Sequence, residues 1–85
     1  MNIRILYFGR LREEMGVAGE MFELPPDVSD IEGLRARLLA RGGDYATAFD
    51  PRKAVRVSVN QELARNNTAI KLGDEIAFFP PVSGG

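Results

Sequence analysis

Apolar residues recur at two spacings along this 85-residue chain. In short runs near both ends and around residue 57 they alternate with polar ones. In one internal stretch the spacing lengthens to three and four. The first spacing is that of a half-buried strand, the second that of a helix lying on a sheet. Asn2–Phe8 reads as a strand, with Ile3, Ile5 and Tyr7 on one face and Arg4, Leu6 and Phe8 on the other. Glu20–Pro25 is a second, short strand ended by Pro25-Pro26. The stretch between them holds a short helical turn closed by Gly16, so the two strands form a hairpin with a long connection. In Ala54–Asn60, Val55, Val57 and Val59 face one way and Arg56 and Ser58 the other. Gln61–Ala64 is a very short edge strand. A turn at Gly73-Asp74 precedes the last strand, Glu75–Phe79, where Ile76 and Phe78 alternate with Glu75, Ala77 and Phe79.

The helix is the longest periodic element. Ile31, Leu34 and Leu38 fall at i, i+3 and i+7, and Leu39 widens the stripe, while Arg35, Arg37 and Arg41 lie off it. Ser29 and Glu32 have capping-box spacing at its start. Gly42-Gly43 ends it. The expected span is Asp30–Arg41. Strand, strand, helix, strand, short strand, strand is the order of an α+β domain with one main helix covering one face of a small mixed sheet. Ile5, Tyr7, Leu34, Leu38, Val57, Ile76 and Phe78 are its expected core. The faces carrying Arg4 and Glu75 are then the open ones, and they put Phe8 and Phe79 at the C-terminal ends of two strands on the open side. Exposed aromatics there suggest a protein-binding surface.

Composition narrows the chemistry. A chain this short buries only about 60–65% of its unfolded surface and makes one domain. Eleven basic and twelve acidic residues give a net charge of −1, which argues against nucleic acid as a main partner. With neither cysteine nor histidine, the chain has no thiol nucleophile, no imidazole or thiolate metal ligand and no Ser-His-Asp triad. The N-terminus has a four-residue apolar run, Ile5–Phe8, before charges begin, so it reads as neither a signal peptide nor a membrane span, and a cytoplasmic location is expected.

The C-terminal stretch "GDEIAFFPPVSGG", Gly73–Gly85, combines a strand, a stiff proline pair and a double glycine. It is very similar to the end of the small, sulfur-carrier subunits of molybdopterin synthase, the MoaD family. "LREEMG" after the first strand, the spaced helix and "VNQEL" (Val59–Leu63) fall in the family's order, so the resemblance covers nearly the whole chain. It implies a ubiquitin-like β-grasp fold over residues 1–81, with the first and last strands adjacent and parallel, and a flexible tail over residues 82–85. It also implies a role in molybdenum cofactor biosynthesis. An activating enzyme of the MoeB type uses ATP to adenylate Gly85, and sulfur then converts the terminus to a thiocarboxylate. The tail delivers that sulfur to a cyclic pterin precursor inside the large, MoaE-like subunit, in an expected heterotetramer.

On this reading the chain is not an enzyme by itself. It holds no permanent cofactor and no metal, and the catalytic side chains belong to the large subunit. Gly85 is the reactive end. Pro80, Pro81, Val82, Ser83 and Gly84 thread the partner, and Ser83 stands where the family often has threonine. Gly84 and Gly85 lack Cβ atoms and suit a narrow tunnel, and Pro80-Pro81 favours an extended segment. The family's apolar docking patch maps by position onto Phe8, Leu63 and Phe79. Three other readings stay open: a carrier for the thiamin thiazole, a ubiquitin-like protein modifier, and a plain β-grasp interaction module.

Overall fold

The computed structural model of the protein describes residues 2–81. Five strands, β1 (Asn2–Tyr7), β2 (Gly19–Glu23), β3 (Arg56–Val59), β4 (Glu62–Leu63) and β5 (Glu75–Phe79), form one sheet in the order β2-β1-β5-β3-β4. The central pair β1 and β5 is parallel, matching Ile5 to Ile76 and Tyr7 to Phe78; the other pairs are antiparallel. The expected adjacency of the first and last strands is therefore observed, as are the long hairpin of β1 and β2 and the short edge strand.

Register explains the single core. Ile3 pairs with Phe22, Ile5 with Ile76, and Phe78 with both Tyr7 and Val57, so every one of these side chains leaves the same face. They join Ile31, Leu34 and Leu38 of helix α2 (Ile31–Ala40) in one buried cluster. All seven expected core residues are buried.

Among the described residues two short helices join the main helix α2 on that face, and the first is the expected helical turn. α1 (Arg10–Met15) contributes Leu11 and Met15, and is closed by Gly16 at φ 78°, whose N–H donates to Arg12 O at 3.0 Å. The third, α3 (Gly43–Ala48), begins where the sequence reading placed only a helix end. Gly42, at φ 72°, serves both purposes: its N–H closes α2 onto Leu39 O, and its carbonyl starts α3 by accepting from the N–H groups of Tyr45 and Ala46. Phe49, just after α3, then sets its ring edge-to-face on Phe78, with centroids 4.8 Å apart, and near Tyr7 at 6.3 Å.

The start of α2 also differs from expectation. Its N-cap is Asp30, whose Oδ1 accepts from Gly33 N–H at 2.8 Å; Ser29 and Glu32 do not form a capping box. The cause is non-local. Ser29 O accepts from Ile70 N–H, and Asp30 bridges to Ala69, which holds residue 30 in the extended conformation that an N-cap requires. A carboxylate at that position also complements the helix dipole.

Candidate functional site

The open face of the sheet is built by the same pleat that makes the core. Residues in register with one another across it are Met21, Arg4 and Glu75 in one row, and Leu6, Ala77, Ser58 and Leu63 in the next; Phe79 and Arg56 form a third. Phe8 follows β1, its N–H donating to Phe78 O at 3.0 Å, so it continues the parallel pair by one residue beside Phe79. Phe8 is 49% exposed and Leu63 67%; Phe79 is half-buried. The structure thus puts all three expected docking residues on the open face, with Phe8 and Phe79 where the chain leaves the sheet. Met21, 56% exposed, adds a fourth large apolar side chain that the sequence reading did not single out.

Local geometry presents these residues. Leu63 is carried by a two-residue hairpin between Val59 and Glu62, whose turn residues Asn60 (φ 51°) and Gln61 (φ 70°) are both left-handed. The turn is fastened from below. Asn60 Nδ2 donates to Asp74 Oδ1 at 3.0 Å, Asn60 Oδ1 accepts from Glu75 N–H at 3.0 Å, and Asp74 Oδ2 accepts from Lys71 N–H at 2.9 Å. Burial by itself raises the pKa of Asp74. The hydrogen bonds from Asn60 and the Lys71 backbone, with the Lys71 charge, outweigh it and leave the carboxyl below its ordinary range.

The exit of the chain is shaped by Gly9. Its φ is +60°, and a Cβ there would lie 2.8 Å from Pro80 Cγ and 2.9 Å from Cδ. Only glycine lets Pro80 rest on the β1–α1 turn and so fixes the direction taken after β5. Pro80 is half-buried and Pro81 exposed. Val82, Ser83, Gly84 and Gly85 lie outside the described residues, as does the expected boundary of the tail.

On the covered side a polar network ties sheet to helices. Tyr7 Oη donates to Glu20 Oε2 at 2.7 Å, Tyr45 Oη donates to the same oxygen at 2.8 Å, and Arg41 donates to Tyr45 Oη at 3.1 Å. Burial and the Glu20 carboxylate both push the two phenols up, so they stay protonated donors. Glu14 is held below the usual carboxylate range. Burial opposes that shift, but Lys53 at 3.0 Å and Arg10 at 2.7 Å outweigh it. These are structural arrangements: none of these groups lies on the open face. Among the described residues no group of three or more His, Cys, Asp or Glu side chains could hold a metal ion, and no helix is long and apolar enough to cross a membrane.

Residues 5–85 match the model of the ThiS family. The chain belongs to that family. It is 40% identical to the molybdopterin synthase sulfur carrier subunit of Haemophilus influenzae over 98% of this chain and 99% of that one, and 36% identical to that of Escherichia coli over the same shares. The resemblance drawn from the tail thus extends along the whole chain. Its fold is shared with SAMP1 from Haloferax volcanii, at TM-score 0.75 and 26% identity over all of both chains. It is also shared with a chain in the complex of subunits 1 and 2 of the molybdopterin-converting factor from Helicobacter pylori, at TM-score 0.66 and 26% identity, again over all of both chains. The ubiquitin-like, mixed-sheet α+β architecture expected from the sequence is the one found.

Proposed function

We propose that this protein is the sulfur-carrier subunit of molybdopterin synthase, acting in molybdenum cofactor biosynthesis. The observation that carries the reading is end-to-end similarity to sulfur carrier subunits, over 98% of this chain and 99% of each relative. The chain is a donor subunit and not an enzyme alone. Its partner is the large synthase subunit, and the pairing of subunits 1 and 2 in the Helicobacter pylori complex supports this. The assembly is a heterotetramer located in the cytoplasm, with the catalytic side chains on the large subunit. Phe8, Leu63 and Phe79 are the docking residues.

The chemistry takes place at Gly85. A carboxylate is a poor acyl donor because oxide would have to leave. In the adenylating enzyme, of the MoeB type, a terminal oxygen attacks the α-phosphorus of ATP and pyrophosphate departs. Hydrosulfide then attacks the acyl carbon and AMP leaves, giving the thiocarboxylate and releasing the sulfur's proton. ATP is therefore consumed by the partner and is not a resident cofactor. Pro80 and Pro81 stiffen the segment behind the reactive end and reduce the entropy lost on threading, while Val82, Ser83 and Gly84 offer little bulk to a tunnel.

Intact mass after incubation with ATP, the adenylating enzyme and a sulfur source tests this. The expected product is heavier by the difference between one sulfur and one oxygen, and adding the pterin precursor and large subunit returns the original mass. A chain lacking Gly85 should melt as the full chain does and form no thiocarboxylate. If it still forms thiocarboxylate and product, the carrier mechanism is wrong. The fold shared with SAMP1 keeps a protein-modifier reading in view. Its mark would be stable conjugates of this chain on lysines of other proteins.

A further inference from the structure

Beside the exit of β5, at the edge of the sheet, lies an open cleft of about 470 Å³. Its walls carry Arg35, Lys53, Arg56 and Arg65 and no acidic residue, and Pro81 closes one side. The four cations are not equivalent. Lys53 is already engaged, donating to Glu14 Oε2 at 3.0 Å and to Thr47 O at 2.9 Å. Arg35 donates through one terminal nitrogen to Val55 O, while its buried Nε finds no partner among the described residues. Arg56 and Arg65 are exposed, and neither side chain forms an ion pair among the described residues.

The cleft is continuous with the docking face. Arg56 stands directly opposite Phe79 in the β3–β5 register, so its side chain leaves the open face. Arg65 follows Leu63 by two residues. A protein laid over the apolar centre must cover this rim too. Against a neutral surface the guanidinium groups would lose water and gain nothing, and against a basic one they would be repelled. Against carboxylates they form charge-assisted, often bidentate hydrogen bonds. We propose that the cleft receives an acidic segment, a cluster of Asp or Glu side chains, on the protein that covers Phe8, Leu63 and Phe79. It rests on the docking role given to those residues above. Nucleic acid is the less suited polyanion, because Glu75 shares this face and the net charge is −1.

The consequence is electrostatic steering towards a contact beside the tail's exit, which acts on association more than on the final affinity. The test measures association and dissociation of the large synthase subunit at about 50 mM and about 500 mM salt. The variants are Arg56→Glu/Arg65→Glu, the neutral pair Arg56→Gln/Arg65→Gln, and Leu63→Glu. Charge reversal should slow association roughly tenfold at low salt and much less at high salt, with the neutral pair between. The neutral pair also decides the matter if the reversed pair melts lower than the parent chain. Charge-reversed and neutral pairs that both associate within about twofold of the parent at low salt overturn the acidic-segment inference. If Leu63→Glu still abolishes binding in that case, the docking face stands. A Leu63→Glu chain that binds normally overturns the docking face itself. A single-stranded oligonucleotide that binds the parent chain, with loss on charge reversal, would overturn the choice of a protein ligand.

Discussion

Phe78 and Phe79 are adjacent and chemically identical, and the fold gives them opposite tasks. Phe78 is fully buried, opposite Tyr7 and Val57, with Phe49 edge-on at 4.8 Å. Replacing a buried Phe by Ala costs about 3–5 kcal/mol, the removed surface and the residual cavity together. A domain of this length has a total stability of about 4–13 kcal/mol at the usual value per residue. Phe78→Ala therefore removes about a quarter of the stability or more and lowers Tm by about 12 °C or more, at about 4–8 °C per kcal/mol. Phe79 is half-buried on the open face, and Phe79→Ala should cost less than about 1.5 kcal/mol. Phe79→Glu should stay folded too, since the new carboxylate would stand opposite Arg56. It should nonetheless weaken binding to the large subunit by thirtyfold or more, about 2 kcal/mol, because docking would bury a charge where an aromatic anchor belongs. Thermal melts on all three variants and a binding titration on Phe79→Glu check this. If Phe79→Ala melts far below Phe78→Ala, the face assignment is inverted. A folded Phe79→Glu that binds normally removes Phe79 from the docking surface.

Three further outcomes follow from the packing and the turns. Leu38→Ala, at a fully buried site in α2, should cost about 2–5 kcal/mol in a denaturant titration; a loss below about 1 kcal/mol would mean that the site collapses without a cavity. Gln61→Gly should raise stability by roughly 0.5–1 kcal/mol, because Gln61 sits at φ 70° where a side chain is strained, and no gain would show the hairpin turn to be otherwise relaxed. The folded pKa of Asp74 is depressed, so its contribution is complete above the unfolded value of about 3.9 and is lost as pH falls through the lower folded value. Asp74→Asn should therefore flatten the acid limb of a pH–stability curve, and a limb as steep as that of the parent chain would refute the role of the Asn60–Asp74 latch.

What was legible in the sequence followed from where each element lies. Strands and α2 bury one side against a common layer, so burial repeats at the period of the element and writes itself into the chain. That is why Ile5, Tyr7, Ile76 and Phe78 could be assigned to the core, and Phe8 and Phe79 to the open face, from alternation. α3 has six residues and buries only Ala48 among them, too short a run to show a period and too short to be stable alone. Tyr45, Ala48 and Phe49 at i, i+3 and i+4 were its one available mark. The choice between Ser29 and Asp30 as cap turned on a bridge to Ala69, thirty-nine residues away from Asp30. Tyr7 read as plain core because its hydroxyl partner, Glu20, is on the neighbouring strand. The candidate site divides the same way. Its apolar part stands on strands, and the pleat announced two of its three residues. Its basic flank is gathered from α2, the start of β3 and the turn after β4, three places with no shared period. Arg35 and Arg56 lie off the apolar stripes of their elements as ordinary solvated side chains do, and only the fold sets them with Arg65 around one cleft. On the proposed docking a partner would meet that cleft and the apolar rows as one surface, so the part of the site that was readable in the sequence would give affinity and the unreadable part would choose the partner by charge.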